Sequence, residues 1–269
     1  MDITSRNDKK DQMLAGILLH LIEFRSSTEG PHFLRIQMIE ELLLDRLREK
    51  TDRYSMTEHE KQLICVASSL HDIGKIAIPS EILDKPGRLT PGEYEIMKRH
   101  TVEGARILKD LPLQKDGSLL HFAYQICRWH HERYDGRGYP DGLVGDEIPI
   151  AAQVTGIADA YDALSSKRVY KDAYSHQIAV RMIQEGECGT FNPILLECLT
   201  ECSDELERKM KDLETDPNYE EKRKNTMAMI ARSFGTDVVK PPAPAEMPYP
   251  GRAAQRIFVN KTYYNNIKK

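Results

Sequence analysis

The sequence predicts an all-α helical bundle on three observations. Strand-like alternation of apolar and polar residues is nearly absent. Apolar residues recur instead at three- and four-residue spacing, and capping boxes open helices at Thr57 with Glu60 and at Thr90 with Glu93. In chain order, the amphipathic segment MLAGILLHLIEF comes first and is expected to be a helix packed on this domain or on one upstream. From His32 to Leu47, a helical stripe is formed by Leu34, Met38, Ile39, Leu42, Leu43 and Leu47. The helix capped at Thr57 is expected to run through Leu63, Ile64, Ala67 and Leu70 to His71, where IAIP breaks it. The helix capped at Thr90 is expected to pass Ile96, Met97 and His100 and reach Leu111. Further helices are expected over 118–131, 150–165, 175–185 and 193–213.

The composition bounds the function. A chain of 269 residues, 40% hydrophobic and 30% charged, can bury a substantial core and reads as a soluble globular protein. No apolar run approaches the roughly 18 residues needed to span a bilayer, and the opening MDITSRNDKKDQ has no apolar stretch of a secretory signal behind it. A formal net charge of -4 argues against bulk nucleic-acid binding and leaves a small anionic substrate held by local positive groups. Five cysteines without a CxxC motif speak against a disulfide framework or a cysteine zinc site and fit a reducing cytoplasm.

The organisation expected is an N-terminal helix or signalling linker over 1–28, the main helical domain over 29–205 and a charged helix over 206–235. A proline-rich linker and mobile tail then fill 236–269, where PPAPAEMPYPG holds five of the 14 prolines.

The chemistry is concentrated in a few blocks. In SSLHDIGKIAIP, adjacent His71 and Asp72 on a helix would project about 100° apart, so both could reach a metal, and Lys75 shares the face of His71. Taken alone, that pair is more often a helix-end cap and a packed histidine. HHERYDGRGYPDGL places His130 and His131 side by side before a glycine-rich turn, and two consecutive histidines are poor core residues because each ring nitrogen needs a partner. Tyr139 and Pro140 offer a flat apolar surface beside them. Asp159 lies in a small, apolar helical stretch where an unpaired carboxylate would be costly, and Asp162, one turn on along the same face, is expected to cap or to support a ligand. His100 and His32 are uninformative by themselves.

In order, HDIGK, then IPxxILxKPGxLTxxEYxxMKxH, then HHERxDGxGYPxGL, then IADxYDAL with RxYK resemble the HD-GYP family of metal-dependent phosphodiesterases, from about His32 to Leu196. The resemblance implies seven metal ligands: His32, His71, Asp72, His100, His130, His131 and Asp159. It implies cleavage of cyclic di-GMP to the linear dinucleotide, or on to GMP, by a hydroxide bridging two divalent ions, iron or manganese ahead of zinc. Asp72 would bridge, with His32, His71 and Asp159 on one ion and His100, His130 and His131 on the other. Lys75 would neutralise charge on the phosphoryl oxygens. Substrate recognition would fall to Tyr139, Arg168 and Lys171; Val169 stands where the family commonly has proline.

Relatives with a third ion carry a glutamate one turn before the first histidine. Here that position is Thr28, and Glu29 is one residue out of register, so two ions are expected. An upstream sensor or receiver domain and a homodimer are both compatible with the sequence. The alternatives are an HD-type phosphohydrolase acting on mononucleotides, which needs neither the second histidine group nor GYP, and a catalytically silent metal-bound receptor or scaffold.

Overall fold

The computed structural model describes residues 32–109, 118–166 and 173–214, with Asn218, Glu221 and Asn225 beyond them. Ten α-helices are formed among these residues: α1 (His32–Lys50), α2 (Glu58–Ala67), α3 (Ser80–Leu83), α4 (Pro91–Lys98), α5 (His100–Lys109), α6 (Leu119–Trp129), α7 (Ile150–Ser165), α8 (His176–Gln184), α9 (Pro193–Glu201) and α10 (Ser203–Glu214). No strand occurs among the described residues, only an isolated bridge between Asp135 and Val144, so the chain is all-α as its periodicity predicts. The segments 1–28 and 236–269, and most of the charged stretch after Glu214, lie outside the described residues.

The core is built around α1 and α7. The α1 stripe of Ile36, Ile39, Leu43, Leu44 and Leu47 is fully buried against α2, α7 and α9, each such side chain contributing about 1.5–3 kcal/mol. Apolar or small residues face nearly every direction on α7, with Ala151, Ala152, Gly156, Ala158, Ala160 and Ala163 among them, so neighbouring backbones can approach closely. A second, smaller core of Ile78, Ile82 and Leu89, joined by Leu83, Tyr94 and Met97, holds α3 and α4 together as a separate flank. Among the described residues no helix is long and apolar enough to cross a membrane.

Both capping boxes form as read, at Thr57 with Glu60 and at Thr90 with Glu93. Three expected helices are shorter than their patterns. The Thr57 helix ends at Ala67 rather than His71, because Ser68 and Ser69 turn their hydroxyls back to the carbonyls of Cys65 (2.8 Å) and Val66 (2.7 Å), and a 3-10 turn follows. The Thr90 helix divides at Arg99. There the His100 ring and the Thr101 hydroxyl take the carbonyls of Met97 (2.8 Å) and Lys98 (2.9 Å), so His100 opens a new helix instead of sitting within one. The segment expected over 193–213 is two helices, parted at Cys202.

Candidate metal centre

The helix ends converge on one place. His32 opens α1, His71 and Asp72 follow the 3-10 turn after α2, His100 opens α5, His130 and His131 follow α6, and Asp159 lies on α7. Two groups result, His32 with His71 and Asp159, and His100 with His130 and His131. Within each group the candidate ligand atoms lie within 4.8 Å of one another. Asp72 stands between the groups, with Oδ2 3.2 Å from His71 Nε2 and Oδ1 3.4 Å from His100 Nε2.

The histidine rings are held in one tautomer by the backbone. His71 Nδ1 donates to the Ser68 carbonyl, His100 Nδ1 to Met97 and His130 Nδ1 to Ile126, each at 2.8 Å. A carbonyl can only accept, so each Nδ1 carries a hydrogen and each Nε2 is the nitrogen left to face a ligand. All three Nε2 atoms are buried without a hydrogen-bond partner, and buried nitrogens of this kind are rare unless a ligand completes them. His32 Nδ1 is bonded to Asp162 Oδ2 at 2.7 Å, which leaves its Nε2 as the available nitrogen. A ring nitrogen fixed by a second hydrogen bond is the usual support of a metal-bound histidine, so the donor set fits divalent cations.

The electrostatics agree with that reading. Burial pushes the His71 imidazolium down, but Asp72 and Asp159 outweigh it and hold its pKa up to about 9. Burial and the neighbouring histidines drive His130 and His131 well below the ordinary imidazole range, and burial lowers His100. For Asp72, burial is outweighed by Lys75, His71 and His100, which keep its carboxyl ionised. The metal-free protein thus keeps His100, His130 and His131 neutral beside the anionic Asp72, whereas His71 holds a proton that a cation would have to displace.

Several supports escape a reading of the sequence. A Cβ on Gly74 would meet the His100 carbonyl oxygen at 1.9 Å and the Gly104 nitrogen at 2.4 Å, and one on Gly156 would meet the His130 carbonyl oxygen at 2.7 Å. These glycines let the turn after Asp72 and helix α7 press directly on the backbone of two histidines. Their only sequence signal is glycine inside otherwise helical patterns. Glu132 is buried beside the histidine pair and accepts from the amides of Asp141 (2.7 Å), Gly142 (3.0 Å) and Leu143 (3.2 Å), closing the GYP turn. Asp162, by contrast, is the support that the sequence does single out: it orients His32 and receives Arg35, whose Nη2 lies 3.2 Å from Oδ2. Arg133 reaches the carbonyls of Cys188 (3.0 Å) and Glu132 (2.8 Å), tying the turn to the loop before α9.

Of the other residues singled out by sequence, Lys75 donates to Asp72 Oδ2. The Tyr139 ring packs on His131, with centroids 4.8 Å apart, and the Tyr139–Pro140 peptide is cis. Arg168, Val169 and Lys171 lie outside the described residues, as do Thr28 and Glu29 with the expected ion count they carry.

A model of the HD domain family matches residues 33–193. A Vibrio cholerae protein named "Probable cyclic di-GMP phosphodiesterase" is 37% identical over 203 residues, covering 73% of this chain and 46% of that protein. A second protein of the same organism, named "3'3'-cGAMP-specific phosphodiesterase 2", is 39% identical over 189 residues, covering 70% of this chain and 34% of its own. The chain thus spans half or less of these relatives. Among solved structures, an HDG"Y"P protein from Bdellovibrio bacteriovorus shares the fold, with a TM-score of 0.50 and 17% identity over 76% of this chain and 64% of that one.

Proposed function

Since the chain belongs to the HD domain family, we propose that it is a metal-dependent phosphodiesterase of the HD-GYP type, opening cyclic di-GMP to the linear dinucleotide. The observation that carries the proposal is the pair of ligand groups with Asp72 between them, three of whose Nε2 atoms are buried without a hydrogen-bond partner. His32, His71 and Asp159 would hold one divalent ion, His100, His130 and His131 the other, and Asp72 would contact both. Iron, manganese and zinc all suit imidazole with carboxylate. Bound there, two such ions supply Lewis-acid charge to the phosphoryl group and lower the pKa of an attacking water.

The protein's own groups do the rest. Backbone carbonyls hold the rings of His71, His100 and His130 in place, and burial keeps His100 and His130 neutral, so they need little reorganisation during the reaction. Lys75, on Asp72, places a positive charge where the phosphoryl oxygens gain negative charge. Tyr139, fixed on His131, forms an apolar wall for a base. Arg168 and Lys171 would add contacts to the substrate. Hydrolysis adds one water, breaks one phosphorus–oxygen bond of the ring and returns a proton to the leaving sugar oxygen.

The cyclic dinucleotide with one adenine, named for the second relative, offers the same two phosphodiesters and is the alternative substrate. Chromatographic assay of both dinucleotides with wild-type, His71→Ala and Asp72→Ala protein tests the reading. Turnover is expected to fall by about three orders of magnitude in each variant, and undiminished cleavage by either refutes it.

A further inference from the structure

We infer that Lys98 contacts the substrate, its ammonium meeting the phosphodiester of the cyclic dinucleotide that is not being cut. The inference rests on the phosphodiesterase reading above. Lys98 is the last residue of α4, and its root is fixed beside the candidate metal centre. The preceding carbonyl, of Met97, accepts from His100 Nδ1 at 2.8 Å, and the Lys98 carbonyl accepts from the buried Thr101 hydroxyl at 2.9 Å. The side chain does not run out to solvent. Its Nζ lies 5.5 Å from the centroid of the Tyr139 ring and 5.7 Å from that of Tyr94, and these two rings meet edge-on at 6.5 Å. Tyr139 in turn packs on His131. A chain of contacts therefore leads from the His100, His130 and His131 group outward through one tyrosine to a single ammonium.

That ammonium is lightly committed. Its ion pair is with Glu95 at 2.7 Å, three residues back on the same helix and 68% exposed, an arrangement of the kind that contributes little. Two tyrosine faces hold the lysine stem without neutralising its charge. A cation one tyrosine ring away from His131, and not satisfied by a buried anion, suits the second phosphate of a two-phosphate ring. A substrate with one phosphodiester has nothing to offer it. Lys98 is thus a selectivity residue supplied by the small α3–α4 flank.

The test compares kcat/KM for cyclic di-GMP with that for bis(p-nitrophenyl) phosphate, which has a single phosphodiester. Lys98→Met and Lys98→Gln are expected to reduce that ratio roughly tenfold, chiefly through KM for the dinucleotide, the size of one charge-assisted hydrogen bond. Lys98→Arg should restore most of it, and bound metal should stay at the wild-type level throughout. An unchanged ratio in both neutral variants, or loss of metal in both, overturns the inference while leaving the phosphodiesterase reading intact. Wild-type protein that cleaves neither compound overturns both.

Discussion

Replacing Gly74 by alanine tests whether close backbone contact, more than the ligands themselves, sets the geometry of the centre. The added Cβ would lie 1.9 Å from the His100 carbonyl oxygen, whereas ordinary contact begins at 3.4 Å, so the turn after Asp72 and helix α5 must part by about 1.5 Å. Both obstacles are backbone, of His100 and Gly104, and neither can rotate aside. Asp72 and His100 now stand 3.4 Å apart. A shift of that size is several times the roughly 0.2 Å tolerance of metal–ligand distances. Overpacking of this kind costs about 1–3 kcal/mol or more, which for a domain of this size lowers the melting temperature by about 5–10 °C. Gly104→Ala is the internal control, since its Cβ comes no nearer than 3.1 Å to Gly74 and asks for a few tenths of an ångström. Metal content per chain and thermal unfolding of the metal-free protein should rank Gly74→Ala well below Gly104→Ala, with Gly104→Ala near wild type. Equal metal content and melting temperature in all three proteins would refute the reasoning.

Glu40 is fully buried, with Oε1 2.5 Å from the Thr155 hydroxyl, and burial pushes its pKa up to about 8. A carboxyl raised above its unfolded value binds a proton on folding, so its stability contribution is present below about pH 4 and is lost as pH rises toward 8. Glu40→Gln should therefore be near neutral at pH 5 and stabilising by about 2–4 kcal/mol at pH 9 in urea denaturation of the metal-free protein; a pH-independent difference argues against a buried neutral acid. Glu132→Gln puts an amide where three backbone N–H groups seek acceptors, and is expected to raise KM and speed proteolysis within 135–145 while bound metal is retained. Asp162→Asn weakens the partner of His32 Nδ1 and should reduce affinity for one of the two ions about 10–100-fold by competition with a chelator; equal loss of both ions would contradict the separation into two groups.

Local rules made much of this molecule legible. The capping boxes at Thr57 and Thr90 and the apolar stripe of α1 follow from side chains a turn apart, and the structure has them where the pattern puts them. The breaks at Arg99 and Cys202 were not legible, because neither carries the glycine or proline that marks a stop. At Arg99 the helix yields to hydrogen bonds from His100 and Thr101, which depend on where the histidine is needed. The residues brought together at the centre were named by motif, but of their supports only Asp162 was. The acceptors of the histidine Nδ1 atoms are main-chain carbonyls, which every residue has. Glu132 acts on amides nine to eleven positions away, through a loop conformation that spacing does not encode.

The central claim is that the two histidine groups hold metal for hydrolysis of a cyclic dinucleotide. It is tested most directly on protein purified without oxygen, measuring bound metals and turnover of cyclic di-GMP on the same sample. The account predicts two ions per chain, a linear dinucleotide product, and loss of turnover when the metals are chelated and regained when iron or manganese is returned. Turnover that survives complete removal of metal, or a fully metal-loaded protein that leaves cyclic di-GMP and its one-adenine analogue intact, would contradict it.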